Sequence, residues 1–197
     1  MSEYKSNLIN PFSYWVIPDK LAAGEYPGNQ YSLRGYTTVM TLVHSFRGFI
    51  KSGGNFWNST DNKINSLIES GIRSFVDLTE DNERPSYRSK LHKIRRENSI
   101  SCNYKRFPIK DKSVPSENLL RDMIEYVNSE IDSGRPVYIH CFRGLGRTGL
   151  VVGCYMKQSD VEIGDVFELI KNLRLGLAGD FRKSPETAIQ NDFLMGW

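Results

Sequence analysis

Long apolar segments are absent from this sequence of 197 residues. No run reaches the roughly 18 consecutive apolar residues that a membrane-spanning helix needs. The first segment, MSEYKSNLIN, is polar and lacks the apolar core of a secretion signal. An excess of one charge is missing too, because 26 basic and 23 acidic residues leave a net charge of +3. Such a mild, mixed charge gives no support for a nucleic-acid partner, and we expect a cytoplasmic protein without a transmembrane segment.

Cysteine is also scarce. The three cysteines, Cys102, Cys141 and Cys154, are an odd number at unrelated spacings. This pattern favours neither a disulfide framework nor a zinc site. We therefore expect a reducing compartment, no bound metal and no other cofactor.

The apolar residues that are present suffice for one core. They make up 39% of the chain, and this length suits one well-buried domain better than two. We expect a single domain over residues 1–197. Strand-like segments alternate with helix-like ones, which predicts an α/β fold with a mostly parallel sheet of about four or five strands flanked by helices.

Periodicity and turn residues predict the individual elements. Strands are expected in a hairpin at residues 14–17 and 21–23, and at residues 75–78, 102–107 and 136–140. Helices are expected at residues 33–51, 61–70, 85–98, 116–133, 150–156 and 161–173, with a last helix from Ser184. Asp61 and Ser116 are the predicted N-terminal caps of two of these helices.

The stretch from Pro136 to Leu150, PVYIHCFRGLGRTGL, organises the chain. An apolar strand is followed by a tight loop with two glycines and then by an apolar helix. A loop wound against a helix N-terminus points unpaired backbone N–H groups inward, and the helix dipole adds partial positive charge there. The sequence therefore predicts an anion site suited to a phosphate.

Two side chains give this anion site its chemistry. Cys141 ends the strand and Arg147 opens the helix, so both can face one centre. An arginine and a helix N-terminus favour the thiolate form of a cysteine, and the guanidinium can hold two phosphoryl oxygens at once. We predict a nucleophile for attack on phosphorus; the alternative is a small buried apolar residue, the ordinary role of a cytosolic cysteine.

The segment HCFRGLGRTG resembles the HCxxGxxR(S/T)G motif of the cysteine-dependent protein tyrosine and dual-specificity phosphatases. The resemblance implies that Cys141 becomes a phosphocysteine and that Arg147 binds the phosphoryl group. It also implies that Thr148 stabilises the thiolate and that His140 orders the loop. The remaining loop residues are implied to bind substrate: Phe142, Arg143, Gly144, Leu145 and Gly146.

A second catalytic segment, FPIKDKSVPS, contains a carboxylate between two prolines just after a predicted strand. Cleavage of a phosphoester needs a proton on the departing oxygen, and a positioned acid contributes about 10² to 10⁴ in rate. Asp111 is the predicted general acid, in agreement with the resemblance of this segment to the acid loop of dual-specificity phosphatases. The alternative is a loop aspartate that pairs with Lys110 and Lys112.

Other segments extend the resemblance. WVIPDKLAAGEYPG is similar to the start of small microbial phosphatases of this type, and FVDLTE is similar to a segment at the rim of their site. The acidic residues that follow, Glu80, Asp81 and Glu83, are interpreted as solvated turn residues. The resemblance implies that Gln190 faces the active site, where such a glutamine orients water; a surface amide is the alternative. It also implies a helical insertion at about residues 29–62, either packed on the domain or forming a flap near the site.

The combined prediction is a monomeric phosphatase that acts on phosphotyrosine, and also on phosphoserine or phosphothreonine, in proteins or peptides. Arg143 is an extra positive charge within the loop. This charge would favour the binding of a substrate with several phosphates, so a phosphoinositide or inositol-phosphate phosphatase is the first alternative. A phosphate-binding module without catalysis is the second.

Overall fold

The computed structural model describes residues 7–28, 59–159 and 164–197. Its strands are β1 (Leu8–Asn10), β2 (Ser13–Ile17), β3 (Leu21–Gly24), β4 (Ser74–Asp77), β5 (Asn103–Arg106) and β6 (Val137–His140). Its helices are α1 (Thr60–Glu69), α2 (Arg88–Asn98), α3 (Glu117–Asp132), α4 (Gly146–Gln158), α5 (Val166–Leu173) and α6 (Ala188–Gly196). The predicted helix at 33–51, and most of the predicted insertion at 29–62, lie outside the described residues.

One six-stranded sheet, in the order β1-β2-β3-β6-β4-β5, forms the centre of the fold. Strands β3, β6, β4 and β5 are parallel, whereas β1 and β2 pair antiparallel at one edge. The α/β prediction is confirmed. The extra strand is β1, which is too short at three residues to show an alternating pattern.

Each face of the sheet is covered by helices that bury a periodic apolar stripe. Helices α1 and α2 cover one face with Ile64, Leu67, Ile68 and Leu91. Helices α3 to α6 cover the other face, and their largest cluster includes the buried apolar residues of α4. Because both faces of β6 are covered, all four of its residues are buried.

Several helix boundaries differ from the predicted ones. Helix α1 begins at Thr60 after the N-cap Ser59, so the predicted cap at Asp61 is wrong and that carboxylate lies in the first turn. Helix α5 begins at Val166, not at residue 161, because the Asp165 side chain accepts hydrogen bonds from the N–H groups of Phe167 and Glu168. The predicted cap at Ser116 is confirmed, since its side chain accepts from the N–H of Leu119.

The last helix also starts later than predicted. It begins at Ala188 because Thr187 caps it, and Gln190 completes a reciprocal capping box with the backbone of Thr187. Helix α2 likewise begins at Arg88 rather than at residue 85. Among the described residues, no helix combines the length and the apolar character needed to cross a membrane.

Candidate active site

The parallel register brings four strand ends to one edge of the sheet. Gly24 of β3 pairs with His140 of β6, and His140 pairs with Asp77 of β4, which in turn pairs with Arg106 of β5. The loops that follow these residues therefore meet at one place. These loops, the end of β6, the first turn of α4 and one residue of α6 make up the site described below.

The loop between β6 and α4 provides a set of unpaired donors. Within the described part of the chain, the backbone N–H groups of residues 142–146 donate no hydrogen bond. They lie beside the N-terminus of α4, where the helix dipole adds partial positive charge. Cys141, at the start of this loop, is only 3% exposed. We call residues 141–147 the phosphate loop, and its geometry suits a tetrahedral anion.

The phosphate loop is supported from β3. Gly144 has a φ of +67°, and a Cβ atom there would lie 2.5 Å from the carbonyl carbon of Gly24. Only glycine satisfies both requirements, because the obstacle is backbone that cannot rotate away. The N–H of Tyr26 donates to the carbonyl of Phe142 over 3.1 Å. The loop thus rests on the chain that follows β3.

Arg147 is buried under the loop, with 2% of its surface exposed. Its Nη1 and Nη2 atoms donate to the two carboxylate oxygens of Glu83, each over 2.7 Å. Nη1 also donates to the carbonyls of Ile109 and Leu78, over 3.0 and 3.3 Å. Burial alone would lower the pKa of Arg147, but the hydrogen bonds to Glu83 and the charge of Cys141 raise it above its ordinary value.

One edge of the Arg147 guanidinium is therefore already occupied. Glu83 takes the edge formed by Nη1 and Nη2, while Nε donates no hydrogen bond within the described ranges. The edge formed by Nε and Nη2 is the second place where a guanidinium can bind two oxygens in parallel. A phosphoryl group would bind there.

The structure corrects the interpretation of Glu83 as a solvated turn residue. Its side chain is 18% exposed and forms the bidentate pair with Arg147. Burial alone would raise the pKa of Glu83, but the hydrogen bonds from Arg147 and from the backbone of Glu80, together with the nearby arginine charges, hold it below the ordinary value. The signal that could have revealed this role of Glu83 is its place in the fold. Glu83 follows β4, and the loop after β4 lies beside the loop after the adjacent parallel strand β6.

Asp111 lies beside the same arginine. Its Oδ1 is 3.1 Å from Nη2 of Arg147, and its side chain is 62% exposed. The backbone N–H of Asp111 donates to Glu80 over 3.2 Å, which makes Glu80 a second acidic residue that supports the site. Among the described residues the Asp111 carboxylate forms no ion pair with Lys110 or Lys112, so the pairing alternative is wrong.

His140 is fully buried directly before Cys141. Its Nε2 lies 2.6 Å from the Tyr87 hydroxyl, and its Nδ1 lies 3.4 Å from the carbonyl of Cys141. Burial lowers the pKa of His140, although Asp77 at 3.9 Å opposes this shift. A neutral imidazole held at both nitrogens fixes the backbone at Cys141, in keeping with the predicted ordering role.

Thr148 and Gln190 are the other predicted side chains. Thr148 is buried, and its Oγ1 has no hydrogen-bond partner in the described parts of the chain. Gln190 is fully buried, and its Nε2 donates to the carbonyl of Ser113 over 3.0 Å. Its Oε1 accepts from the backbone of Glu186 and Thr187.

The surface-amide alternative for Gln190 is therefore wrong. A Cβ atom on Gly146 would lie 2.9 Å from Gln190 Oε1, so the amide also packs against the phosphate loop. The Gln190 side chain connects the acid loop, the phosphate loop and the start of α6.

Two cysteines lie outside the site. Burial raises the pKa of Cys154 to about 12 and also raises the pKa of Cys102. Both are therefore neutral thiols at neutral pH, in line with packing roles.

Comparison with known proteins decides the family. Residues 52–160, more than half of the chain, match the family described as "Polymorphic toxin system, DSP-PTPase phosphatase", that is, dual-specificity and protein tyrosine phosphatases. The chain belongs to this family. The matched residues include Glu83, Asp111 and the whole phosphate loop.

Two curated relatives that the chain resembles are also named as phosphatases. A putative tyrosine phosphatase of Invertebrate iridescent virus 3 is 29% identical over 98 residues, which are 48% of this chain and 38% of that protein. The Arabidopsis thaliana protein named phosphatidylinositol 3,4,5-trisphosphate 3-phosphatase and protein-tyrosine-phosphatase PTEN1 is 25% identical over 105 residues, 52% of this chain and 26% of that protein. The chain thus spans well under half the length of these relatives.

Solved structures share the fold. A mutant form of the phosphatase Tk-PTP superposes with a TM-score of 0.63 at 19% identity, covering 94% of this chain and 93% of that one. DUSP15 superposes with a TM-score of 0.57 at 17% identity, covering 95% and 89%. The architecture of this chain is therefore that of the protein tyrosine phosphatases.

Proposed function

We propose that this phosphatase hydrolyses phosphotyrosine, and also phosphoserine or phosphothreonine, through a phosphocysteine at Cys141. One observation carries the proposal: Cys141 opens a loop of unpaired backbone N–H groups that ends at Arg147, and the Asp111 carboxylate lies 3.1 Å from that arginine. A nucleophile, an anion-binding loop and a proton donor are the parts that this reaction needs. The substrate is expected to be a cytoplasmic phosphoprotein or peptide, and the enzyme a monomer.

Substrate binding uses the donors that the fold leaves free. The N–H groups of residues 142–146 and the Nε–Nη2 edge of Arg147 receive the phosphoryl oxygens. Because Nη2 also contacts Asp111, an arriving phosphoryl group competes for that nitrogen. Asp111 is mostly exposed and is free to turn toward the oxygen of the leaving group.

The reaction has two steps. The Cys141 sulfur forms a bond to phosphorus while the bond from phosphorus to the leaving oxygen breaks, and Asp111 gives its proton to that oxygen. Water then attacks phosphorus, Asp111 takes the proton from the water, and the sulfur–phosphorus bond breaks to release phosphate. The buried Thr148 hydroxyl, whose Oγ1 lacks a partner in the described chain, is available to donate to the sulfur as it leaves.

Replacement of the nucleophile tests this proposal. Cys141→Ser should abolish hydrolysis of an aryl phosphate while phosphate and vanadate still bind. An acid quench of the wild-type enzyme during turnover should yield a peptide containing Cys141 with one added phosphoryl group by mass spectrometry. Turnover that survives in Cys141→Ser, or an adduct on another residue, would contradict the assignment.

A second candidate substrate class is a phosphoinositide or an inositol phosphate. It is favoured by the exposed guanidinium of Arg143 within the phosphate loop. The name of the Arabidopsis relative includes a phosphatidylinositol trisphosphate phosphatase. A panel of phosphotyrosine peptides, phosphoserine peptides and phosphoinositides, compared by kcat/KM, separates the two classes.

A further inference from the structure

Two arginines lie close to one aromatic ring of the phosphate loop, and we call the side chains of Arg84, Phe142 and Arg143 the stack. The guanidinium carbon of Arg84 is 3.4 Å from the centre of the Phe142 ring, and that of Arg143 is 5.8 Å from the same centre. Phe142 directly follows Cys141. The stack therefore lies next to the position of the reacting phosphoryl group.

Neither guanidinium in this stack forms an ion pair within the described ranges, although the charge of Arg84 helps to lower the pKa of Glu83. The buried Nε of Arg84 also has no hydrogen-bond partner among the described residues. The other buried or half-buried arginines at this edge of the sheet are paired: Arg147 with Glu83, and Arg106 with Asp77. Two like charges beside one ring repel each other unless an anion lies near both.

Tyr26 holds the two halves of the stack in place. Its backbone N–H donates to the carbonyl of Phe142 over 3.1 Å, and its hydroxyl donates to the carbonyl of Pro85, next to Arg84. Tyr26 is itself buried, with 1% of its surface exposed. Glu83, on the other side of Arg84, binds Arg147. The stack is thus fixed by backbone contacts and is coupled in position to the arginine of the phosphate loop.

We propose that Arg84 and Arg143 form a second anion site, which binds a phosphate next to the one being hydrolysed. The proposal rests on the phosphocysteine chemistry of the proposed function and favours its second candidate substrate class: a small ring with phosphates on adjacent carbons, as in an inositol polyphosphate. Phe142 directly follows Cys141, so a phosphate bound by the stack must lie within about one side-chain length of the phosphate at Cys141. Phosphates on adjacent carbons of a small ring are that close together. Guanidinium groups suit this role, since they bind phosphate oxygens in pairs while stacking on an aromatic face.

The decisive experiment compares two soluble substrates, an inositol bisphosphate with phosphates on adjacent carbons and the matching inositol monophosphate. The wild-type enzyme should prefer the bisphosphate in kcat/KM. Arg84→Ala should reduce this preference about ten- to a hundredfold, mainly through KM, because a charged hydrogen bond is lost in the ground state and in the transition state alike. Arg84→Lys should give an intermediate value, since it keeps the charge but loses the planar stack.

A matched control removes one positive charge elsewhere. Arg95 is exposed in the last turn of α2 and belongs neither to the phosphate loop nor to the loop that carries Arg84, so Arg95→Ala should retain the wild-type preference. Titration calorimetry of the bisphosphate into Cys141→Ser, with and without Arg84→Ala, gives a readout independent of turnover. The same comparison with phosphoinositides in phosphatidylcholine vesicles shows whether a lipid headgroup or a soluble inositol phosphate is the better source.

Three results would overturn the second anion site. One is a wild-type enzyme without preference for the bisphosphate in either arm. Another is an equal loss of kcat/KM on both substrates in Arg84→Ala, because Arg84 would then act only by keeping its neighbour Glu83 in position. A third is a doubly phosphorylated peptide that outperforms both inositol substrates. Aryl phosphatase activity that depends on Cys141 tests the proposed function separately, so each failure is recognisable.

Discussion

Replacement of Glu83 by glutamine is the sharpest test of how this site is held together. Glu83→Gln preserves the size of the side chain but removes the charge that faces the buried guanidinium of Arg147. Both carboxylate oxygens lie 2.7 Å from that guanidinium. A hydrogen bond to a charged group contributes about 1.5–3 kcal/mol. Since glutamine retains one acceptor, we expect a loss of about 2 kcal/mol, or about 4–8 °C in Tm for a chain of this length.

The pH dependence of this loss has a defined sign. The pKa of Glu83 in the folded protein lies below its ordinary value of 4.5. Its contribution to stability is therefore complete at neutral pH and disappears as the pH falls through the lower, folded pKa. The difference in Tm between wild type and Glu83→Gln should be largest at pH values above about 5 and should vanish in acid.

Activity gives a second measure of the same replacement. A misplaced Arg147 no longer aligns the phosphoryl group, and a shift of about 1 Å costs on the order of a hundredfold in rate. Asp81→Asn is the matched control, because Asp81 lies in the same loop but is 84% exposed in its pair with Arg106. An exposed pair contributes less than about 1 kcal/mol. A Glu83→Gln variant with the same Tm and the same turnover as the wild type at neutral pH would refute the reasoning.

Three further replacements address other parts of the site. Asp111→Asn should slow alkyl phosphates by about 10² to 10⁴ but spare a substrate with a good leaving group; equal losses on both, measured as kcat, would exclude the acid role. Gly144→Ala should abolish activity and lower Tm, because its Cβ would meet the backbone of Gly24, whereas Gly134→Ala shares the positive φ without a contact within 4 Å and should keep full activity. Gln190→Ala should loosen the acid loop and give a smaller loss with the same leaving-group dependence as Asp111→Asn; a loss confined to hydrolysis of the phosphocysteine would instead support the water-orienting role.

Local signals explain what could be predicted from the sequence. The strand, glycine loop and helix around Cys141 are consecutive in the chain, so periodicity and spacing were enough to indicate β6, the anion-binding loop and α4. The sequence predicted Asp111 in a loop just after a strand, and the parallel register brings the end of that strand to the edge of the sheet where Cys141 lies. The structure locates the Asp111 carboxylate next to Arg147.

Long-range pairing explains what was missed. Glu83 lies in a polar loop that looks solvated, and its partner is 64 residues away in the chain. Only the adjacency of β4 and β6, which no local pattern specifies, brings them together. The last helix was predicted from Ser184 because a proline follows, but the Ser184 hydroxyl instead donates to the carbonyl of Leu145 in the phosphate loop. The helix therefore begins after that contact.

The seating of the phosphate loop on β3 has a consequence for truncation. Strand β3 and the backbone of Tyr26 lie upstream of the segment 52–160 that carries the family match, and Gln190 lies downstream of it. A fragment limited to that segment would leave one side of β6 without its parallel neighbour and the carbonyl of Phe142 without its donor. It would retain every residue proposed to contact the reacting phosphate, yet it would lose β3 and Tyr26, which hold the phosphate loop in position.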